Sequence, residues 1–267
     1  MLANISGQTV IVTGAARGIG AAAAAIFNNH GANVVIAGLP QLQDTAEALI
    51  RSLDHPERAV YMGANVTQWR DMVELFEGTI SRFGRVDMVV ANAGIMETAV
   101  VLDMQVDENG TPLESKEALE VLEVNLKGSL NTLRLGLHYI SQNPMPSSGE
   151  GRGYRGSVTL VASTSGYFGT TGNAAYVASK HGVVGLLRAS QTKAASLGIR
   201  VNAVAPFFTP TQITSGFDKS SMLEAGLEIN TPDQVGIAIA HATVDETRRG
   251  TACFEVTGYH PGLLNPS

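Results

Sequence analysis

What this chain lacks narrows its chemistry before any motif is read. It holds one cysteine, Cys253, which excludes an intrachain disulfide. Basic residues are outnumbered, 18 Lys+Arg against 24 Asp+Glu, and are scattered along a chain of net charge −6. That balance argues against nucleic acid or an anionic membrane surface as the main partner. The apolar run from Ala21 to Phe27 is far too short to cross a bilayer and reads as a buried helix. The first residues, Met1 to Gly7, show neither a basic n-region nor an apolar h-region, so the expected location is cytoplasmic. Without secretion, the Asn-x-Ser/Thr matches at Asn4 and Asn65 carry no weight. The histidines, His30, His55, His138, His181, His241 and His260, have no metal-ligand spacing. There is no Gly-x-Ser-x-Gly elbow for a serine nucleophile, and no linker divides the chain. No metal site is expected.

What is present suits one large domain over residues 1–267, since 267 residues, 44% of them apolar, can bury an extensive core. Thr9 to Val12 is a short β-branched run that passes at once into Thr13-Gly14-Ala15-Ala16-Arg17-Gly18-Ile19-Gly20 and then an alanine-rich helical stretch to His30. Strand, glycine turn and helix in that order form the phosphate-binding opening of a βαβ unit. Gly14 permits the tight turn, Gly18 lets backbone approach a pyrophosphate, and Gly20 lets helix and strand pack closely, while the helix N-terminus supplies positive potential. A second strand, Asn33 to Ala37, ends at Gly38-Leu39-Pro40. An acidic residue there would bind the free ribose of NAD and repel the 2′-phosphate of NADP, and none is present. Arg17 can pair with that phosphate as a fork, so the sequence leans to NADP(H).

Helical spacing over Gln41 to Leu53 and Gln68 to Phe83 alternates with strands at Ala59 to Met62 and Val86 to Val90. Such alternation predicts an α/β fold, a Rossmann-type doubly wound parallel sheet of about seven strands flanked by helices. Asn65 falls where an adenine ring would be met, and Asn92-Ala93-Gly94 forms a second turn at a strand's C-terminal end. Asp103 to Glu117 and Asn143 to Gly156 read as exposed loops around a long helix, Leu119 to Ile140, in which Asn125 is either a structural bridge or a site residue. A fifth strand, Ser157 to Ala162, leads into Ser163-Thr164-Ser165-Gly166, and a sixth begins at Ile199.

Between them lies Tyr176-Val177-Ala178-Ser179-Lys180. A step of four places phenol and ammonium on one helix face, and a nearby cation favours phenolate. Tyr176 is therefore expected to titrate below the roughly 10 of free tyrosine. A Tyr and a Lys so spaced would meet by chance in about one chain in nine of this composition, so the pair alone is weak.

Together the Thr-Gly-x-x-x-Gly-x-Gly turn, Asn-Ala-Gly after strand four, an asparagine in the next helix, a serine, and Tyr-x-x-x-Lys resemble the short-chain dehydrogenase/reductase family over essentially the whole chain. Asp107 to Gly110 and Ser179 to Val183 resemble its 15-hydroxyprostaglandin-dehydrogenase-like branch. The resemblance implies a catalytic set in which Tyr176 is the general acid/base. In that set Lys180 holds the nicotinamide ribose and lowers the tyrosine's pKa, Ser163 hydrogen-bonds the substrate oxygen, and Asn125 holds a water leading to Lys180. It implies that Gly14, Arg17, Gly18, Ile19, Gly20, Gly38, Asn65, Val66, Asn92, Ala93, Gly94, Tyr176, Lys180, Pro206, Thr209 and Thr211 line an NAD(P)(H). Gly38 and Asn65 stand where relatives commonly have aspartate, and Phe207 where they commonly have glycine.

A substrate loop at about 207–230 is expected. Ser165, Tyr167, Phe168, Phe207, Phe208, Ile213, Phe217 and Met222 suit a neutral hydrophobic substrate, since Phe207 to Asp218 holds no Arg or Lys. The leading expectation is an oxidoreductase interconverting a secondary alcohol and a ketone, with secondary metabolism as one setting. An isomerase or cyclase on the same scaffold, and a cofactor-sensing regulator, are the alternatives. The helix from Gly172 to Gly198 is apolar nearly all round, which points to a homodimer or homotetramer.

Overall fold

β-Branched runs and glycine turns build one sheet. The computed structural model describes residues 5–146, 153–169, 172–216, 220, 224, 229–248, 250 and 252–253. Its strands are β1 (Thr9–Thr13), β2 (Asn33–Gly38), β3 (Ala59–Gly63), β4 (Met88–Ala91), β5 (Gly156–Val161), β6 (Ile199–Val204) and β7 (Ala252–Cys253). They form a seven-stranded sheet in the order β3-β2-β1-β4-β5-β6-β7, with every pairing parallel. The order reverses between β1 and β4, which opens a crevice at their C-terminal ends.

Helices α1 (Gly18–Asn29), α2 (Gln43–Ser52), α3 (Trp69–Phe83), α4 (Lys116–Leu122), α5 (Gly128–Ser141), α6 (Ala174–Ser196) and α7 (Pro232–Val244) cover both faces. Side chains of β1 alternate between two cores, as the period of a strand requires. Ile11 joins Phe76, Leu133 and Val183 on one face, while Val10 and Val12 join Phe27 and Ile239 on the other. Helix α7 went unread in the sequence although its start is marked by Pro232 at the first turn and by a capping box between Thr231 and Gln234. It packs against α1 closely enough that a Cβ on Gly236 would lie 3.0 Å from the Ala23 nitrogen.

Three boundaries differ from expectation. The helix read as continuous from Leu119 to Ile140 starts at Lys116 and is interrupted by a π turn, Glu123–Lys127, that separates α4 from α5. Apolar spacing cannot mark such a turn, because one extra residue barely shifts the periodic pattern. Helix α1 starts at Gly18, directly on the glycine turn, rather than at Ala21. Asn143, expected to open an exposed loop, is buried, and its amide donates to the Val86 carbonyl at 2.7 Å; positions 147–152 of that loop lie outside the described residues.

Candidate active site

The crevice between β1 and β4 is tied together by side chains. The Thr13 hydroxyl donates to the Val90 carbonyl at 3.3 Å and accepts from the Asn92 and Ala93 nitrogens, each at 3.1 Å. The Asn92 amide reaches back to the carbonyls of Thr13 and Gly14 at 2.9 and 3.2 Å. The two turns expected to line a dinucleotide are thus one structure. Gly14 has φ 67°, and a Cβ there would stand 2.8 Å from the Ala93 Cα. A Cβ on Gly20 would stand 2.6 Å from the Gly14 carbonyl oxygen and 2.9 Å from the Ala15 Cα. Such contacts are closer than side chains tolerate, so backbone fills the space around the turn.

Helix α1 begins with no side-chain cap and no acidic residue in its first turn. No side chain among the described residues caps its first N–H groups, and the positive end of the helix dipole lies at the same turn. This set of donors fits a pyrophosphate. Arg17, at the cap position, is exposed. At the end of β2 a Cβ on Gly38 would meet only the Ala16 Cβ, at 3.9 Å. Ile19 is half-buried against the α1 core.

Asn65 is partly committed to its own turn, since its Oδ1 accepts from the Thr67 nitrogen and hydroxyl at 3.0 and 2.9 Å. Val66 is buried, and its carbonyl accepts from the Asn131 amide at 3.0 Å. These bonds hold the end of β3 against α5.

Lys180, on α6, is 5% exposed, and its ammonium donates to the Val161 carbonyl at 2.9 Å. Burial lowers its pKa to about 8. The Nζ lies 5.6 Å from the centroid of the Tyr176 ring, over its face. Tyr176 itself corrects the expectation from spacing. Burial pushes its pKa up, a hydrogen bond with Ser163 opposes that, and the charge of Glu97 adds to it. Burial is the largest of these effects and sets the direction.

Ser163, at the end of β5, is 7% exposed and accepts from the Ser165 nitrogen at 3.1 Å. Asn125 sits fully buried in the π turn. Its Oδ1 accepts from the Ile95 nitrogen at 2.8 Å, and its Nδ2 donates to the Ile95 carbonyl at 2.8 Å and the Ser179 hydroxyl at 3.0 Å. The backbone carbonyl accepts from the Ser129 hydroxyl at 2.6 Å. Asn125 thus joins the exit of β4 to α6, and a Cβ on Gly94 would fall 3.2 Å from its Oδ1 and 3.7 Å from the Lys180 Nζ.

The exit of β6 closes the other side. Pro206 is buried, and its carbonyl accepts from the Thr164 nitrogen at 3.1 Å, tying this exit to that of β5. Thr209 is buried, with its hydroxyl on the Phe207 carbonyl at 3.1 Å. Thr211 comes against the glycine turn, its Cγ2 3.4 Å from where a Gly18 Cβ would be. Tyr167 packs on the core beside α6, Phe207 and Phe208 are half-buried, and Phe168 and Ile213 are exposed at 40% and 43%. Phe217 and Met222 lie outside the described residues. Three residues of the site had no role in the sequence reading. Thr13 was legible as the motif's first letter, whereas Glu97 and Ser179 act on partners distant in sequence and left no local signal.

The family model for short chain dehydrogenases matches residues 8–221. The chain belongs to the short-chain dehydrogenase family. Among similar members, the short-chain dehydrogenase/reductase prx4 of Penicillium roqueforti is 32% identical over 90% of this chain and 66% of its own length, so the chain spans slightly under two thirds of that relative. A (+)-borneol dehydrogenase 1 of Salvia officinalis is 32% identical, covering 91% of this chain and 89% of its own. The 3-oxoacyl-(acyl-carrier-protein) reductase of Thermotoga maritima is 29% identical over 98% of this chain and 99% of its own. A solved structure of this family type, the 3-hydroxyacyl-CoA dehydrogenase type-2 from Mycobacterium avium, superposes with a TM-score of 0.79 at 28% identity, covering 95% of this chain and 96% of that one.

Proposed function

We propose that the protein is an NAD(P)-dependent oxidoreductase, with NADP(H) preferred, that interconverts a secondary alcohol and a ketone on a neutral hydrophobic small molecule. The observation that carries this reading is the placement of Tyr176 and Lys180 on one face of α6, with Ser163 hydrogen-bonded to the phenol and Gly94 of the crevice beside the ammonium. A bound nicotinamide dinucleotide supplies the hydride chemistry. The first turn of α1, Asn92, Ala93 and Gly94 would hold it, with Arg17 at the 2′-phosphate and Lys180 at the nicotinamide ribose.

The chain's own work is proton handling and positioning. Tyr176 holds a proton on Oη, because burial disfavours the phenolate. In the reducing direction it hands that proton to the substrate oxygen, to which Ser163 Oγ also donates a hydrogen bond. In the oxidising direction Tyr176 must first lose its proton, so alcohol oxidation rises with pH across the range in which ketone reduction is already at its plateau. The apolar groups Tyr167, Phe168, Phe207, Phe208 and Ile213 suit a substrate without charge. The solvent side of α6, with Ala178, His181, Gly185 and Ala189 exposed, suits helix pairing in a homodimer or homotetramer, and we place the protein in the cytoplasm.

A panel of secondary alcohols and ketones followed by nicotinamide absorbance tests the reading. The expected outcome is turnover of lipophilic members, with kcat/KM at least ~10-fold higher for NADP(H) than NAD(H), about the 1.4 kcal/mol of one charge-assisted contact. A clear preference for NAD(H) overturns the roles of Arg17 and Gly38, and no turnover of any member overturns the reading.

A further inference from the structure

Glu97 lies three residues beyond Gly94, on the loop that leaves β4, and is 3% exposed. Its Oε1 accepts from the Ala175 nitrogen at 2.8 Å, and the Tyr176 nitrogen donates to Oε2 at 3.0 Å and to Oε1 at 3.3 Å. The Asn173 amide donates to the Glu97 carbonyl at 3.3 Å. Asn173 occupies the N-cap position of α6 but makes no cap with its side chain. The start of the helix that carries Tyr176 and Lys180 is thus capped from 78 residues away.

A local Ser, Thr or Asn would satisfy the same N–H groups without burying a charge. No ion pair among the described residues involves Glu97. Among the described residues, the first-turn N–H groups and the helix dipole are what compensates a carboxylate withdrawn from water. What a carboxylate adds over a neutral cap is a fixed negative charge on the residue that bears the phenol. Among the described residues, the charged groups that face Tyr176 are Lys180, from its own helix, and Glu97, from the loop after β4, whereas β5 contributes the neutral Ser163 and the π turn the neutral Asn125.

We propose that Glu97 is a positioning residue for Tyr176: its carboxylate locks the first turn of α6 onto the loop that leaves β4 and sets a negative charge at the backbone of the residue that bears the phenol. The consequence rests on the reading of Tyr176 as proton donor, since it biases the site toward reduction. The direction fits Tyr176, whose pKa is raised by the charge of Glu97 as well as by burial.

The test compares wild type, Glu97→Gln and Glu97→Ala, each paired with its Tyr176→Phe counterpart. The absorbance difference within a pair, titrated with base and without substrate or cofactor, reports phenolate at Tyr176 alone. Gln retains an oxygen for the Ala175 and Tyr176 nitrogens and loses the charge. The expected midpoint for Glu97→Gln is lower by about one pH unit, the effect of a unit charge roughly 10 Å off at an effective dielectric near 20. Turnover should follow, with the rise of alcohol oxidation moved down in pH by the same amount and kcat retained by Gln but not by Ala. An unmoved phenolate midpoint in Glu97→Gln overturns the proposal even if turnover persists. A lowered midpoint in a protein that turns over no alcohol or ketone supports it and counts against the oxidoreductase reading alone.

Discussion

Lys180 is held where an ammonium is disfavoured. It is 5% exposed, makes one hydrogen bond among the described residues, to the Val161 carbonyl, and titrates at about 8 against an ordinary 10.5. Because its folded pKa lies below that of the unfolded chain, the unfolded chain binds more protons between those two values. Stability from this group therefore rises as pH climbs through that window, and below it the folded protein bears the full penalty. Replacing Lys180 by Met should raise unfolding free energy by about 1 kcal/mol near neutral pH, the desolvation relieved less the cost of leaving the Val161 carbonyl without its donor. The gain should vanish in alkaline buffer, while turnover falls to background. Urea unfolding at several pH values checks this, and a variant less stable than wild type at neutral pH would contradict it. The residue scale is also where the sequence was least legible. Tyr-x-x-x-Lys spacing located both side chains, but it could not say that the ammonium lies over the ring rather than at the hydroxyl, nor that burial sets the direction of the phenol's titration. Glu97 had no signature at all, because its partners lie across a chain crossing that only the fold creates.

At the scale of elements, β1, its glycine turn and α1 form the unit on which the proposed cofactor binding depends. Six strands were legible from β-branched runs, and their ends fall within two residues of expectation, because a buried parallel strand is apolar on both faces. The π turn between α4 and α5 was not legible, since Asn125 lies on an apolar-periodic stretch that looks continuous. Its function is visible only in space, where the turn presents the Asn125 amide to Ile95 and Ser179 together. Gly20 illustrates a reading that holds in detail. Proposed from sequence to allow close packing of helix on strand, it leaves no room for a Cβ against Gly14 and Ala15 backbone. Gly20→Ala should therefore push α1 off β1, destabilise the protein by about 1–3 kcal/mol and weaken dinucleotide binding at least ~10-fold. Thermal unfolding and calorimetric titration of the folded variant check both effects, and unaltered affinity would count against the crevice as the binding site.

The whole molecule is a parallel sheet whose strand order reverses once, between β1 and β4, and every residue assigned to chemistry lies on loops or helix starts around that reversal. The exits of β1 and β4 give the two turns proposed to hold the dinucleotide, that of β5 gives Ser163, and α6 delivers Tyr176 and Lys180. No helix among the described residues is long and apolar enough to cross a membrane. Fold and family were legible because the motifs recur at the ends of successive strands in a fixed order. Substrate was not, because apolar side chains in the expected substrate loop exclude charge without selecting one molecule. The account depends most on Tyr176 moving a proton in a nicotinamide-dependent reaction. Its most direct test is Tyr176→Phe, measured in parallel for dinucleotide affinity and for turnover of the best alcohol–ketone pair. Affinity within about threefold of wild type and turnover lower by ~10²–10⁴-fold, the range of a lost general acid, are expected. Retained redox turnover in that variant would contradict it.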